Sequence, residues 1–143
     1  MLILTRKMPP NSSLSANLII SLTAVERTKT RHRHQTPFGS IMIQLPRGTV
    51  LQNGDLLQTE AGDYTVQIVA EPEPVLTVTA KSFLDLLRAA YHLGNRHIPL
   101  EITASYLRLS PDPVLQSMLE HLGLEVCPEI APFEPEGGAY DHH

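Results

Sequence analysis

Glu71-Pro72-Glu73-Pro74-Val75-Leu76-Thr77-Val78-Thr79-Ala80 is the stretch at which the pattern of this chain changes. The two Glu-Pro pairs read as a stiff acidic linker, and the β-branched run after them reads as a strand. Ser82 and Asp85 then form a Ser-x-x-Asp capping box, which opens a helix with Phe83, Leu84, Leu87, Ala90 and Tyr91 on its apolar face. Gly94 is placed to end that helix in a left-handed cap. Ile98 to Thr103 and Tyr106 to Leu109 read as two strands around a tight reversal. Asp112 caps a second helix, with Pro113 at its first position and Gly123 at its end. The apolar face of that helix is Val114, Leu115, Met118, Leu119 and Leu122, and Leu124 to Ile130 gives a last strand. The order strand-helix-strand-strand-helix-strand is the split βαβ pattern of a ferredoxin-like domain.

Upstream of the linker the pattern is that of strands alone. Leu18 to Leu22, Thr28 to His34, Ile41 to Leu45 and Tyr64 to Val69 are short β-rich runs. They are separated by turn signals at Pro37-Phe38-Gly39-Ser40, Asn53-Gly54-Asp55 and Glu60-Ala61-Gly62-Asp63. The expected class is α+β. A small all-β module over residues 1–74 precedes a ferredoxin-like domain over 75–131. The tail 132–143, rich in Pro, Gly and acid, has little to bury and is expected to be mobile.

Composition narrows the function. The chain has 143 residues and a formal net charge of −4. Residues 1–70 carry seven Lys/Arg against four Asp/Glu, whereas residues 71–143 carry four against eleven. The acidic half is unsuited to nucleic acid and attracts cations. One cysteine, Cys127, excludes an internal disulfide framework and a Cys-rich zinc site; its apolar strand points to a core position. No run approaches the roughly 20 apolar residues that span a bilayer. The start, Met1 to Lys7, lacks the pattern of a secretory signal, so the expected location is the cytoplasm. The nucleophile-elbow, phosphate-loop and His-Glu-x-x-His motifs of enzymes are absent, and no enzymatic activity is expected.

Seven histidines are the informative inventory. His92 and His97 would point about 140° apart on a continuous helix, so they are not a ready chelate. Gly94 breaks the helix and leaves His97 in an exposed connection. One imidazole is a weak metal site, but a two-fold axis pairs any nearby residue with its own copy. His142 and His143 end the chain and admit two readings: a loose second grip on a metal, or solvated or tag-derived end residues. His32 and His34 share one face of a strand and read equally as a metal pair or a polar edge. His121 sits where an imidazolium complements the dipole of the second helix.

Tyr91-His92-Leu93-Gly94-Asn95-Arg96-His97 resembles the signature of the urease accessory family UreE. Other family-like pieces follow in order. Arg31-x-Arg33 precedes Thr36-x-x-Gly39, and Leu45-Pro46-Arg47-Gly48 leads to Leu51-x-x-Gly54-Asp55-x-Leu57. Asp112-x-Val114-Leu115-x-x-Met118-Leu119-x-x-Leu122-Gly123 covers the second helix, and Phe133-x-Pro135-Glu136-x-Gly138-Ala139-Tyr140 precedes the terminal histidines. The resemblance covers nearly the whole chain. It implies a homodimer with Ni²⁺ held at the subunit interface by His97; His142 and His143 are candidate further ligands from the tail, and imidazole donors would also fit Zn²⁺ or Cu²⁺. It further implies transfer of nickel to the urease accessory GTPase and the urease apoprotein complex, with no nucleic-acid or membrane partner. Two other readings stay open: an assembly module whose histidines are incidental, and a zinc-linked structural dimer. Ser110-Pro111-Asp112-Pro113 stands where some members place extra histidines, and the tail lacks a polyhistidine run. Few metals per dimer are therefore expected.

Overall fold

The computed structural model describes residues 1–9 and 12–137. The architecture is mixed α+β, mostly strands with two helices. The chain divides into two compact units between Glu71 and Pro72. Among the described residues no helix is long and apolar enough to cross a membrane.

The first unit contains six strands: β1 (Leu2–Lys7), β2 (Leu18–Leu22), β3 (Arg31–Thr36), β4 (Gly39–Gln44), β5 (Leu56–Thr59) and β6 (Thr65–Ala70). They form one sheet in the order β2-β6-β5-β1-β4-β3. β1 pairs parallel with β4 and antiparallel with β5, and β2 pairs parallel with β6. Leu4, Ile20, Leu22, Ile41, Ile43, Leu57, Val66 and Ile68 make the core beneath it. β1 and β5 are additions to the sequence reading, and both lie in the middle of the sheet. The Asn53-Gly54-Asp55 turn is a hydrogen-bonded junction. Gly54 takes φ 92°, the left-handed region. Asn53 accepts from the Ala70 N–H at 2.8 Å, and the buried Asp55 carboxylate accepts from the Gln52 N–H at 2.7 Å. Lys7 Nζ lies 3.5 Å from the same carboxylate. Asp55 therefore has a structural role.

The second unit runs β7 (Pro72–Thr79), α1 (Phe83–Gly94), β8 (Glu101–Ile102), β9 (Leu107–Leu109), α2 (Pro113–His121) and β10 (Glu125–Pro132). All strand pairs are antiparallel, in the order β10-β7-β9-β8. Leu76 and Val78 of β7 and Leu107 and Leu109 of β9 share a core with Leu86, Ala89 and Leu93 of α1 and Leu115 and Leu119 of α2. The helix starts follow the expected chemistry. Ser82 Oγ accepts from the Asp85 N–H at 3.2 Å. Asp112 Oδ1 accepts from the Val114 and Leu115 N–H groups at 2.9 and 3.0 Å. α2 ends in a Schellman motif: Gly123, at φ 85°, donates to Glu120, and Leu124 donates to Leu119.

Several expectations are corrected. Pro72, Glu73 and Pro74 form the start of β7 instead of a linker, pairing with Pro132, Ala131 and Ile130. β9 reaches only Leu76 to Val78, so among the described residues this half of β7 has a strand neighbour on one side, an edge position where a strand tolerates proline. The tail is held at its beginning. Phe133 is 1% exposed, the Glu134 N–H donates to the Glu101 carboxylate at 2.8 Å, and the Glu136 N–H donates to the Leu100 carbonyl at 2.8 Å. Residues 138–143 lie outside the described part. Cys127 is exposed, because it faces away from the helices on β10 in register with Thr77. Most of the α1 face chosen from periodicity is the outward one: Phe83, Leu84, Leu87 and Tyr91 are exposed, Ala90 packs half-buried on the core, and Leu86, Ala89 and Leu93 are buried.

On the sheet face that carries Thr77, Arg108 is the hub of a polar network. Its guanidinium donates to Thr77 Oγ1 at 3.0 Å and to Glu129 Oε1 at 3.0 Å, and lies 3.8 Å from Glu101 Oε2. Glu101 also accepts from the Tyr106 hydroxyl at 3.1 Å. Burial and that hydrogen bond to Glu101 both raise the Tyr106 pKa, so the phenol stays a donor. Removing Arg108 leaves the buried Glu101 carboxylate without its cation. Arg108→Leu is expected to cost about 2–3 kcal/mol, against about 1 kcal/mol for removing a helix cap in Asp112→Ala. Urea unfolding of the two variants checks that order.

Candidate metal centre

The turn that carries His97 is built by the end of α1. The Asn95 N–H donates to Tyr91, the Arg96 N–H to Leu93 and the His97 N–H to Gly94, at 3.1, 3.1 and 3.0 Å. Gly94 is the last helical residue and Asn95 is right-handed at φ −64°. The left-handed position falls instead on His97, at φ 56°. Among the described residues it is the sole non-glycine residue with positive φ. That conformation costs an L-residue roughly 1–2 kcal/mol, and residues so held cluster at functional sites. The Arg96 guanidinium donates to the His92 carbonyl at 3.0 Å, tying the turn back to the helix.

His97 is exposed. It belongs to no group of three potential ligands among the described residues. A metal held by His97 with three or more protein ligands would therefore take at least one of them from beyond the described residues. The outward stripe of α1 leads to this turn: Phe83 is 62% exposed, Leu84 52%, Leu87 50% and Tyr91 67%. His92 lies on another side of the helix, half-buried, its ring edge-on to Tyr91 at 5.6 Å. His92 and His97 belong to no common group of three potential ligands among the described residues. His121 Nδ1 lies 2.8 Å from the Ser117 carbonyl in the last turn of α2. His142 and His143 fall outside the described residues.

A second cluster lies in the first unit. His32 and His34 share one face of β3, the edge strand, with ring centroids 6.0 Å apart. In register they oppose Ile43 and Ile41, both core residues, so the imidazoles fringe the core. Glu26, from the 3-10 turn Glu26–Thr28, joins them, and one ligand atom from each of the three lies within 4.8 Å of the others. Sequence reasoning singled out the histidines and missed Glu26. Its signal was the Thr23-x-x-Glu26 spacing: the Thr23 N–H donates to Glu26 Oε1 at 2.9 Å, and the Glu26 N–H donates to Thr23 Oγ1 at 3.3 Å. Burial lowers the His32 pKa, and neighbouring His34 and Lys29 lower it further against the pull of Glu26. For Glu26 burial works upward, but the hydrogen bonds from Thr23 and the two imidazoles leave its pKa lowered.

Comparison with known proteins covers both units. Residues 4–71 match the family model for the UreE urease accessory protein, N-terminal domain, and residues 73–143 match that for its C-terminal domain. The chain is 56% identical to the urease accessory protein UreE of a Nostoc species, across 100% of this chain and 98% of that one. It is 51% identical to the UreE of Thermosynechococcus vestitus across the full length of both. With the UreE of Burkholderia ambifaria it shares 47% identity over 96% of this chain and 70% of the relative.

The left-handed turn has a measurable consequence. His97→Gly is expected to be more stable than His97→Ala by about 1 kcal/mol, since only glycine adopts that φ without strain. Equal urea midpoints for the two variants would show that the turn is not held there.

Proposed function

The chain belongs to the UreE family of urease accessory proteins, and on that premise we propose that it carries Ni²⁺ at a site centred on His97 where two copies meet. The observation that carries this reading is the outward apolar stripe of α1 ending at the His97 turn. Four large side chains, each at least half exposed on one helix, form the kind of patch that marks an interaction surface. Full burial of such a side chain is worth about 1.5–3 kcal/mol, and an isologous contact buries each one twice. A two-fold axis passing close to the His97 turn would set His97 beside its copy and turn one imidazole per protomer into a pair.

Imidazole suits Ni²⁺, Cu²⁺ and Zn²⁺, so the site takes nickel through supply and geometry more than through donor type. His142 and His143 would complete the coordination from the chain end. A sparse ligand set leaves positions through which an acceptor's ligands attack before the donor's leave, which suits transfer better than storage. The acceptors are the urease accessory GTPase and the urease apoprotein complex, in the cytoplasm, with neither nucleic acid nor membrane involved. The β-strand order β10-β7-β9-β8 with both helices supplying one core supports a ferredoxin-like second unit as the metal domain. The all-strand first unit would then dock the partner proteins. The protein acts as a carrier without catalytic residues of its own.

Ni²⁺ calorimetry on the full chain and on His97→Ala, with the solution mass measured with and without chelator, tests this. The expected result is a dimer that persists without metal and a nickel step weakened about tenfold or more in the variant. Leu87→Glu should dissociate the dimer, because it places a charge in the buried stripe. A monomeric apo protein would favour a zinc-linked structural dimer, and unchanged nickel binding in His97→Ala would move the site elsewhere.

A further inference from the structure

We propose that Glu26, His32 and His34 form a second divalent-metal site, contained within one protomer and separate from His97. Geometry carries the case. Their ligand atoms lie within 4.8 Å of one another. A metal bonded to nitrogen and oxygen at about 2.0–2.1 Å in tetrahedral geometry holds neighbouring ligand atoms about 3.3 Å apart. His32 Nε2 and Glu26 Oε2 are 3.9 Å apart, so small side-chain rotations close the site.

The simplest competing account is that the histidines are the polar fringe of the core, with an ion pair to Glu26. That account leaves a buried atom unexplained. His32 Nε2 is buried and has no hydrogen-bond partner among the described residues, and 3.9 Å to the carboxylate is too long for one. A buried polar atom without a partner costs about 1–3 kcal/mol; a metal ion would satisfy it.

The surroundings resemble a ligand set held in advance. The Thr23 N–H occupies Glu26 Oε1 and leaves Oε2 for a metal, the kind of outer hydrogen bond that orients ligating carboxylates. β3 is an edge strand paired on one side by β4, and its period of two brings both imidazoles to the same face. Arg31 and Arg33 alternate to the opposite face. Lys29 is close enough for its charge to lower the His32 pKa, and that charge weakens the site. Two imidazoles and one carboxylate with a position left open suit a borderline divalent cation such as Zn²⁺ or Ni²⁺, and suit Ca²⁺ or Mg²⁺ poorly.

The test uses the full chain carrying His97→Ala, His142→Ala and His143→Ala, so that the carrier site contributes nothing. Zn²⁺ titration by calorimetry is expected to show one step per protomer. Adding Glu26→Gln or His34→Gln should weaken that step about tenfold or more, with apo circular dichroism unchanged. NMR of the imidazole ring protons in the background variant should show the His32 and His34 signals moving in proportion to added Zn²⁺. The proposal is overturned if the background variant has no stoichiometric step. It is equally overturned if both added substitutions leave the step intact, or if only His92 and His121 respond. Should either added variant fail to fold, the ring signals of the background variant decide alone.

Discussion

Burial of Leu86, Ala89 and Leu93 with Leu76, Val78, Leu107 and Leu109 is the contact on which the second unit depends. α1 carries apolar residues almost around its circumference, with Asp85, Arg88 and His92 as its polar positions. A helix repeats every 3.6 residues, so packing one stripe on the sheet fixes what the other must do. Phe83, Leu84, Leu87 and Tyr91 face outward because Leu86, Ala89 and Leu93 face inward. The inward stripe is the one that meets β7 and β9 while the Ser82 cap stays intact. The exposed stripe, the turn after it and the proposed subunit contact all follow from that choice.

The two helices also end differently. α2 stops at Gly123, where the left-handed conformation is free of a Cβ penalty. α1 runs through Gly94 and places its left-handed residue at His97, three positions later. The strain of about 1–2 kcal/mol is small against the core that anchors the helix. In return the imidazole sits on a hydrogen-bonded turn with a defined backbone, instead of on a loose loop. A metal ligand so placed loses less freedom on binding.

The two proposed metal sites illustrate two ways of gathering ligands. On β3 the period of two brings His32 and His34 together within one chain, and a neighbouring 3-10 turn adds Glu26. At the end of α1 His97 belongs to no group of three ligands among the described residues, and the proposed site there is assembled by symmetry and by the tail. The first arrangement favours a self-contained site, and the second favours one that opens when subunits or acceptors move.

Local chemistry made much of this legible in the sequence. The Ser82 and Asp112 caps, the Gly123 stop, the Asn53-Gly54-Asp55 turn and the strand-helix-strand-strand-helix-strand order each depend on residues within a few positions of one another. The exposed connection at His97 and the shared face of His32 and His34 were readable for the same reason. Long-range packing decided the rest. β1 looks like an ordinary chain start until it lies between β4 and β5. Pro72 and Pro74 look like linker until β10 pairs with them. Cys127 looks like core until the register turns it from the helices. Periodicity alone could not choose between two apolar stripes on α1, because both satisfy a helical repeat and only the sheet beneath distinguishes them. Nor could it join Glu26 to two histidines on another element. Sequence by itself determined the elements, their ends and the residues able to bind metal. Tertiary structure decided which faces are buried and which ligands meet, because both depend on pairings between residues far apart in the chain.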